Sequence, residues 1–299
     1  MTRRDFLATS AFGIASIQLP FYADHSLKFA VITDIHHGLA PDSYVRLQAF
    51  VEAVHARDDL DFVLQMGDFC HSWPPSEYSP FLKLWHSIKL PKHHILGNHD
   101  MDRGSKADAM KVWGMPSRYG RFDYGDWRFL YLDLNHYRKD GKLFDYEKGN
   151  YFTDNAVSNM ADPEQLEWLA TELRTEKPTI LLSHQPLGFK EPGQDYPEEQ
   201  KPILDMVAGK VAFSMFGHLH VDRIEKVGET PFMCLNSASY FWQSGMHPYR
   251  DPLFAFVEIS SSGMLSVTGR QSIFSKGKPE TKTIGCSASI DNRIIRTAR

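Results

Sequence analysis

Cysteine is scarce in this chain: Cys70, Cys234 and Cys286 are the three present, widely spaced and without a CxxC pair. That excludes a disulfide framework and a zinc site built on thiolates. No sign of charge dominates either, since the formal net charge is −4 with acidic and basic residues interspersed. A broad electrostatic grip on nucleic acid is therefore not expected. No apolar run is long enough to span a bilayer as a stable helix. Internal repeats and low-complexity segments are missing too. What remains is an average globular composition, 42% apolar and 23% charged over 299 residues. It can build a sizeable core in one large domain or two small ones. Histidine stands out, with fourteen copies, several in tight polar clusters.

The start, Thr2-Arg3-Arg4-Asp5-Phe6-Leu7, precedes a mild apolar stretch from Ala8 to Leu19 that is broken by Thr9, Ser10, Gly13, Ser16 and Gln18. Two arginines before a short apolar run resemble a twin-arginine export signal, which implies contact with export machinery. Residues 1–23 are read as that signal, residues 24–274 as the main domain and residues 275–299 as a loosely packed tail. The expected location is extracytoplasmic, periplasmic or secreted, and cytoplasmic if the signal is not used. The plainer alternative is a frayed amphipathic terminus.

Along the main domain, Leu27 to Thr33, Phe62 to Met66, Trp127 to Leu134, Thr179 to Leu182 and Val211 to Phe216 read as buried strands, and His94 to Leu96 lies in another. Leu47, Phe50, Val51 and Val54 mark one face of a helix. Asp162-Pro163-Glu164-Gln165 reads as an N-cap, a proline at N1 and a capping-box glutamine. The apolar face of that helix is Leu166, Leu169, Ala170 and Leu173. Residues 231–274 alternate strand-like runs with turns, as an antiparallel continuation would. Strands alternating with helices imply an α/β sheet core covered by helices.

Polar clusters follow the strands: Asp34-Ile35-His36, Gly67-Asp68, Gly97-Asn98-His99-Asp100, Ser183-His184 and Gly217-His218-Leu219-His220. Residues just beyond the strands of an open α/β sheet gather along one edge, so these clusters can converge. Imidazole and carboxylate suit Fe, Mn, Zn or Co. Gly67, Gly97 and Gly217 each precede a candidate ligand, where a missing side chain permits a tight turn or a close approach. Taken singly, a histidine after a strand is more often a hydrogen-bonded loop residue than a ligand.

The ordered set DxH, GD, GNHD, H, GHxH resembles the calcineurin-like metallophosphoesterase family over about residues 27–274. The resemblance implies a four-layer αββα sandwich of two mixed sheets flanked by helices, with the metal site at the carboxyl ends of the strands. It implies two divalent or transition metal ions. Asp34, His36, Asp68 and His220 would hold one; Asp68, Asn98, His184 and His218 the other, with Asp68 bridging. It also implies hydrolysis of a phosphate ester, diester or monoester, by a metal-bridging hydroxide, with His99 as general acid. Asp100 is then a candidate to orient the His99 imidazole. No Asp-Arg-Gly follows Gly67-Asp68, unlike the protein serine/threonine phosphatases. His71 stands where purple acid phosphatases place a tyrosine. In motif style the chain is similar to class III cyclic-nucleotide and glycerophosphodiester phosphodiesterases.

The expected partner is a small phosphorylated substrate. His37, His71, Tyr240 and Trp242 are candidate substrate contacts; the aromatic segment around Phe81 and Trp85 is expected in the core. Two rival readings are a non-catalytic metal-dependent scaffold, which loss of ligands would favour, and a nuclease of the same superfamily, which needs a basic groove.

Overall fold

Apolar alternation along the first strand decides how the molecule is layered. In β1 (Leu27–Ile32), Leu27, Phe29 and Val31 join one buried cluster while Ala30 and Ile32 join another, because successive side chains point to opposite faces. The structure, a computed structural model, describes residues 26–71, 75–190, 193–240, 248–280 and 284–298, with the side chains of residues 75–77 left aside. The export-like segment lies outside these residues.

Numbered along the chain, β1 shares its sheet with β2 (Phe62–Gln65), β3 (Lys92–His94), β12 (Ala255–Ile259), β13 (Met264–Gly269) and β14 (Arg293–Arg296), in the order β14-β13-β12-β1-β2-β3. β1, β2 and β3 run parallel, and β12 lies antiparallel on the other side of β1. The second sheet contains β4 (Gly120–Tyr124), β5 (Trp127–Tyr131), β8 (Thr179–Leu182), β9 (Phe213–Phe216), β10 (Arg223–Val227) and β11 (Thr230–Cys234), ordered β10-β11-β9-β8-β5-β4. Its interior strands are parallel and its two edges antiparallel. A separate hairpin, β6 (His136–Lys139) with β7 (Lys142–Asp145), follows β5.

The sheets pack face to face through Phe29, Phe62 and Phe129, with Phe29 and Phe62 stacked at 4.7 Å. Helices α1 (Ser43–His55), α2 (Pro75–Ser87) and α3 (Lys106–Trp113) bury Phe50, Phe81, Trp85 and Trp113 against the outer face of the first sheet. Helices α4 (Pro163–Glu172) and α5 (Lys201–Val207) cover the second sheet through Leu169, Ile203 and Leu204. The result is the expected αββα arrangement of two mixed sheets flanked by helices. Among the described residues no helix is long and apolar enough to cross a membrane.

Some local expectations shift. Asp162 caps α4 by accepting from the Gln165 N–H, but the Gln165 side chain does not return to it. It pairs instead with both backbone groups of Asp133, which stitches α4 to the end of β5. Ala170 faces solvent, so the apolar stripe of α4 is narrower than its spacing suggests. The segment after residue 284 is not loosely packed: β14 pairs with β13, and Ala288, Ile290 and Ile295 enter the core between the sheets. Its few apolar residues alternate with polar ones, which hides an edge strand from a composition count.

Candidate metal centre

Each polar cluster leaves the carboxyl end of a parallel strand, and the two sheets bring those ends together. The backbone turns sharply there: Asp34, His36, Asp68, His218 and His220 all have φ between 51° and 66°. Left-handed backbone is uncommon for residues with a side chain and clusters at functional sites. The preceding glycines allow the crowding. A Cβ on Gly67 would lie 2.3 Å from Nδ1 of His184, and one on Gly97 2.2 Å from the Asp68 carboxylate. A Cβ on Gly217 would lie 2.5 Å from Oδ2 of Asp34.

Two adjacent groups of donors result. Asp34, His36 and His220 form the first, with Nε2 of His220 3.0 Å from Oδ1 of Asp34 and 3.1 Å from Nε2 of His36. Asp68, His184 and His218 form the second, with Nε2 of His184 3.1 Å from Oδ2 of Asp68. Asn98 joins it, its Oδ1 3.0 Å from Nδ1 of His218. Nε2 of His184 also lies 3.9 Å from Oδ1 of Asp34, so the groups are contiguous. Ligands about 2.1 Å from one ion sit roughly 3–3.4 Å apart at tetrahedral or octahedral angles, which these spacings match.

The electrostatics favour positive charge at the centre. Asp34 and Asp68 are buried, and a buried carboxylate needs a partner of opposite sign. Burial alone would raise the Asp68 pKa, but His184, His99 and His36 outweigh it and hold it well below the usual carboxylate range. Burial opposes charge on His184 too, yet Asp68 and Asp34 raise its pKa to about 9. His218, half-buried beside it, is pushed down to about 4, chiefly by desolvation and then by the charge on His184. The residues present therefore fit divalent cations in both donor set and charge.

His99 stands beside this centre without entering either group. It opens a short 3₁₀ turn, His99–Met101, whose three-residue period brings Asp102 under its ring. Nδ1 of His99 lies 3.0 Å from Oδ2 of Asp102 and 2.6 Å from the Tyr151 hydroxyl, which also donates to Asp102. The backbone N–H of His99 donates to Oδ1 of Asp68 at 2.7 Å. Burial works against an imidazolium here, but Asp68 and Asp102 raise the His99 pKa above its ordinary value.

The other expected roles change. Asp100 does not hold His99: its carboxylate accepts the N–H groups of Gly97, Asp68, Phe69 and Cys70 and so braces two ligand loops. Burial and the nearby Asp68 raise its pKa to about 7. His71 is buried behind the first group, its Nε2 2.8 Å from Nδ1 of His36 and its Nδ1 bonded to Asp102. His37 bonds Ser43 and stacks on Phe81 at 4.1 Å, inside the α1–α2 corner. Tyr240 packs on the core beneath the Arg46 guanidinium. None of these three lines the cleft at the metal centre, and Trp242 lies outside the described residues. Asp102 and Tyr151 were missed. The His-x-x-Asp spacing could have signalled Asp102; Tyr151 comes from a loop beyond the β6–β7 hairpin and carries no local mark.

The cleft over the centre is about 370 Å³ and is walled on one side by Tyr146, Tyr151, Phe152 and Asn159. Among solved structures, the chain is similar in fold to GAP50, the anchor in the inner membrane complex of Plasmodium, with TM-score 0.55 and 12% identity over 86% of this chain and 87% of that one. It is also similar to a putative 5'-nucleotidase from Staphylococcus aureus, with TM-score 0.52 and 16% identity over 87% of this chain and 56% of that one. No curated protein matches the sequence significantly. The family model for calcineurin-like phosphoesterase matches residues 27–222. That match holds every strand-end cluster that meets at the centre, and the chain belongs to the calcineurin-like phosphoesterase family.

Proposed function

We propose that the protein hydrolyses phosphate esters with two divalent transition metal ions and a histidine proton donor. The observation that carries this reading is the pair of contiguous, largely buried donor groups with His99 beside them. Asp34, His36 and His220 would hold one ion, Asn98, His184 and His218 the other, with Asp68 between them. Such a pair, when bound, supplies positive charge that activates water and stabilises the phosphoryl oxygens.

The chain's own groups supply the rest. Nδ1 of His99 is committed to Asp102 and Tyr151, so the opposite ring nitrogen, Nε2, is the one that carries a proton to the leaving oxygen. Asp68 and Asp102 raise the His99 pKa above its ordinary value, which favours the protonated ring a proton donor needs. Asp100 and the left-handed turns fix the ligand loops before substrate arrives. The filled ligand set supports catalysis over a scaffold role. Among the described residues no lysine or arginine lines the cleft, which argues against a nucleic-acid groove.

The test is elemental analysis of folded protein purified without chelator, followed by assay of mono- and diesters with Mn, Fe, Zn and Co. Close to two metals per chain, with Asp68→Asn losing most of both, is expected. One metal or none in folded wild type sinks the two-metal reading.

A further inference from the structure

At the mouth of the cleft sits a residue that solvent exposure should have made polar. Phe152 is 78% exposed, more than any other large apolar residue among those described. It ends the 3₁₀ turn Asn150–Phe152, entered through Gly149 at φ 73°. Its ring lies 4.5 Å from that of Tyr151 and 6.5 Å from that of His99. A second exposed apolar residue, Leu219 at 38%, lines the same cleft. Leu219 sits between His218 and His220, whose left-handed backbones fix its place. A lone exposed hydrophobe needs no explanation, but two on the rim of one polar site do.

We propose that Phe152 and Leu219 form an apolar ledge that grips the leaving alcohol, and that this alcohol carries a flat ring and no charge. The inference rests on the phosphoesterase reading and names the substrate class for that site. Position decides which half of the substrate meets the ledge. His99 delivers its proton to the departing oxygen, and Phe152 flanks His99, so the group on the ledge is the one that leaves. The face of Phe152 is open, and aromatic rings pair by offset stacking or edge contact at centroid separations of about 4.5–7 Å. The rest of that wall is neutral: the Tyr146 hydroxyl bonds Asn159, and Ser158 lies beside them. Among the described residues no lysine or arginine lines the cleft, so a second phosphate on the leaving group would find no ammonium or guanidinium partner.

The experiment compares monoesters and symmetrical diesters of 2-naphthylmethanol, cyclohexylmethanol and ethanol, alcohols of similar acidity. Leaving-group activation then does not mask the ring effect. In metal-loaded wild type, kcat/KM for the naphthylmethyl ester should exceed that for the ethyl ester about tenfold, and that for the cyclohexylmethyl ester about threefold. In Phe152→Ala the naphthylmethyl-to-ethyl ratio should fall to within about twofold of one. Equal rates across the wild-type panel, or a ratio that survives in Phe152→Ala, would overturn the ledge. If no ester is turned over, the phosphoesterase reading fails instead. Calorimetry with 2-naphthylmethylphosphonate and ethylphosphonate then still reads the ledge: tighter naphthyl binding that Phe152→Ala removes upholds it, and equal binding refutes it.

Discussion

The Asp102 carboxylate stands between two imidazoles, 3.0 Å from Nδ1 of His99 on one side and bonded to His71 on the other. His71 in turn lies 2.8 Å from His36, so one carboxylate steers both the proposed proton donor and a member of the first donor group. Such outer partners fix ring orientation and tautomer, and losing one costs about 10–100-fold in metal affinity or activity. Asp102→Asn should lower kcat on alkyl esters by that factor or more and weaken metal retention against a chelator. His99→Ala should retain metal and slow alkyl esters by about 10²–10⁴-fold. It should affect nitrophenyl esters far less, because nitrophenolate leaves without a proton. Equal losses for both ester types in His99→Ala would refute the proton-donor role.

Gly97→Ala tests the crowding at the centre. The new Cβ would fall 2.2 Å from the Asp68 amide and carboxylate, where no rotamer relieves it. Metal content should drop for both ions and activity by more than about 10²-fold, since a misplacement of about 1 Å carries that cost. Gly104→Ala, whose Cβ would meet Asp108 at 3.4 Å, is the control and should keep its metal. Elemental analysis of both variants, with circular dichroism to confirm folding, decides it.

Part of the acid sensitivity should trace to β3. His94 is buried between Trp85 and Trp113, its Nδ1 without a partner, and burial pushes its pKa down to about 3 from 6.5. Below pH 6.5 the unfolded chain takes up a proton that folded His94 refuses until about pH 3. Stability therefore falls as pH falls through that window, by up to about 1.4 kcal/mol per pH unit from this residue. His94→Phe should flatten the decline while keeping the stacking. An unchanged slope of urea midpoint against pH would contradict this.

Much of this architecture can be read from the residues, and the parts that cannot share a cause. Strands such as Phe62–Gln65 are continuous apolar runs, and the ligands sit directly after them, so local pattern and site coincide. Asp102 escaped because Asp100 is adjacent to His99 while the 3₁₀ turn favours the residue three places on. Tyr151 and Phe152 arrive from a loop whose course no short-range signal marks. His71 and His37 are near the candidate ligands in sequence, but His71 packs behind His36 and His37 turns into the α1–α2 corner, both away from the cleft. The final strand escaped for the opposite reason: its partners, not its composition, make it a strand.

That strand bears on the site. Arg293 in β14 grips Asp222 with two bonds, 2.6 and 2.7 Å, just past the candidate ligand His220. Asp222 is buried and Arg293 half-buried, so removing the guanidinium leaves the carboxylate with one backbone N–H, from Asp291, at a cost of roughly 1–3 kcal/mol. Arg293→Ala should lower the melting temperature and loosen the first metal before the second. The paired change Arg293→Met with Asp222→Leu should recover most of the stability. If Arg293→Ala melts like wild type, the pair carries no weight.

We also propose that Arg3 and Arg4 direct export. Replacing both by lysine should leave the purified protein folded and active but retain it in the cytoplasm. Unchanged extracytoplasmic location on fractionation would rule this out.

Five candidate ligand positions hold a left-handed backbone that costs about 1–2 kcal/mol each in side-chain-bearing residues, less for Asp and His than for most. The fold bears this cost whether or not an ion is present, so thermal robustness and chemistry are opposed at the same peptide units. Glycine at Asp34 or His218 would relax the chain and end the proposed activity. Selection for heat resistance alone, with no demand for turnover, would therefore erode the ligands first and leave a sturdier protein of the same shape with nothing to catalyse.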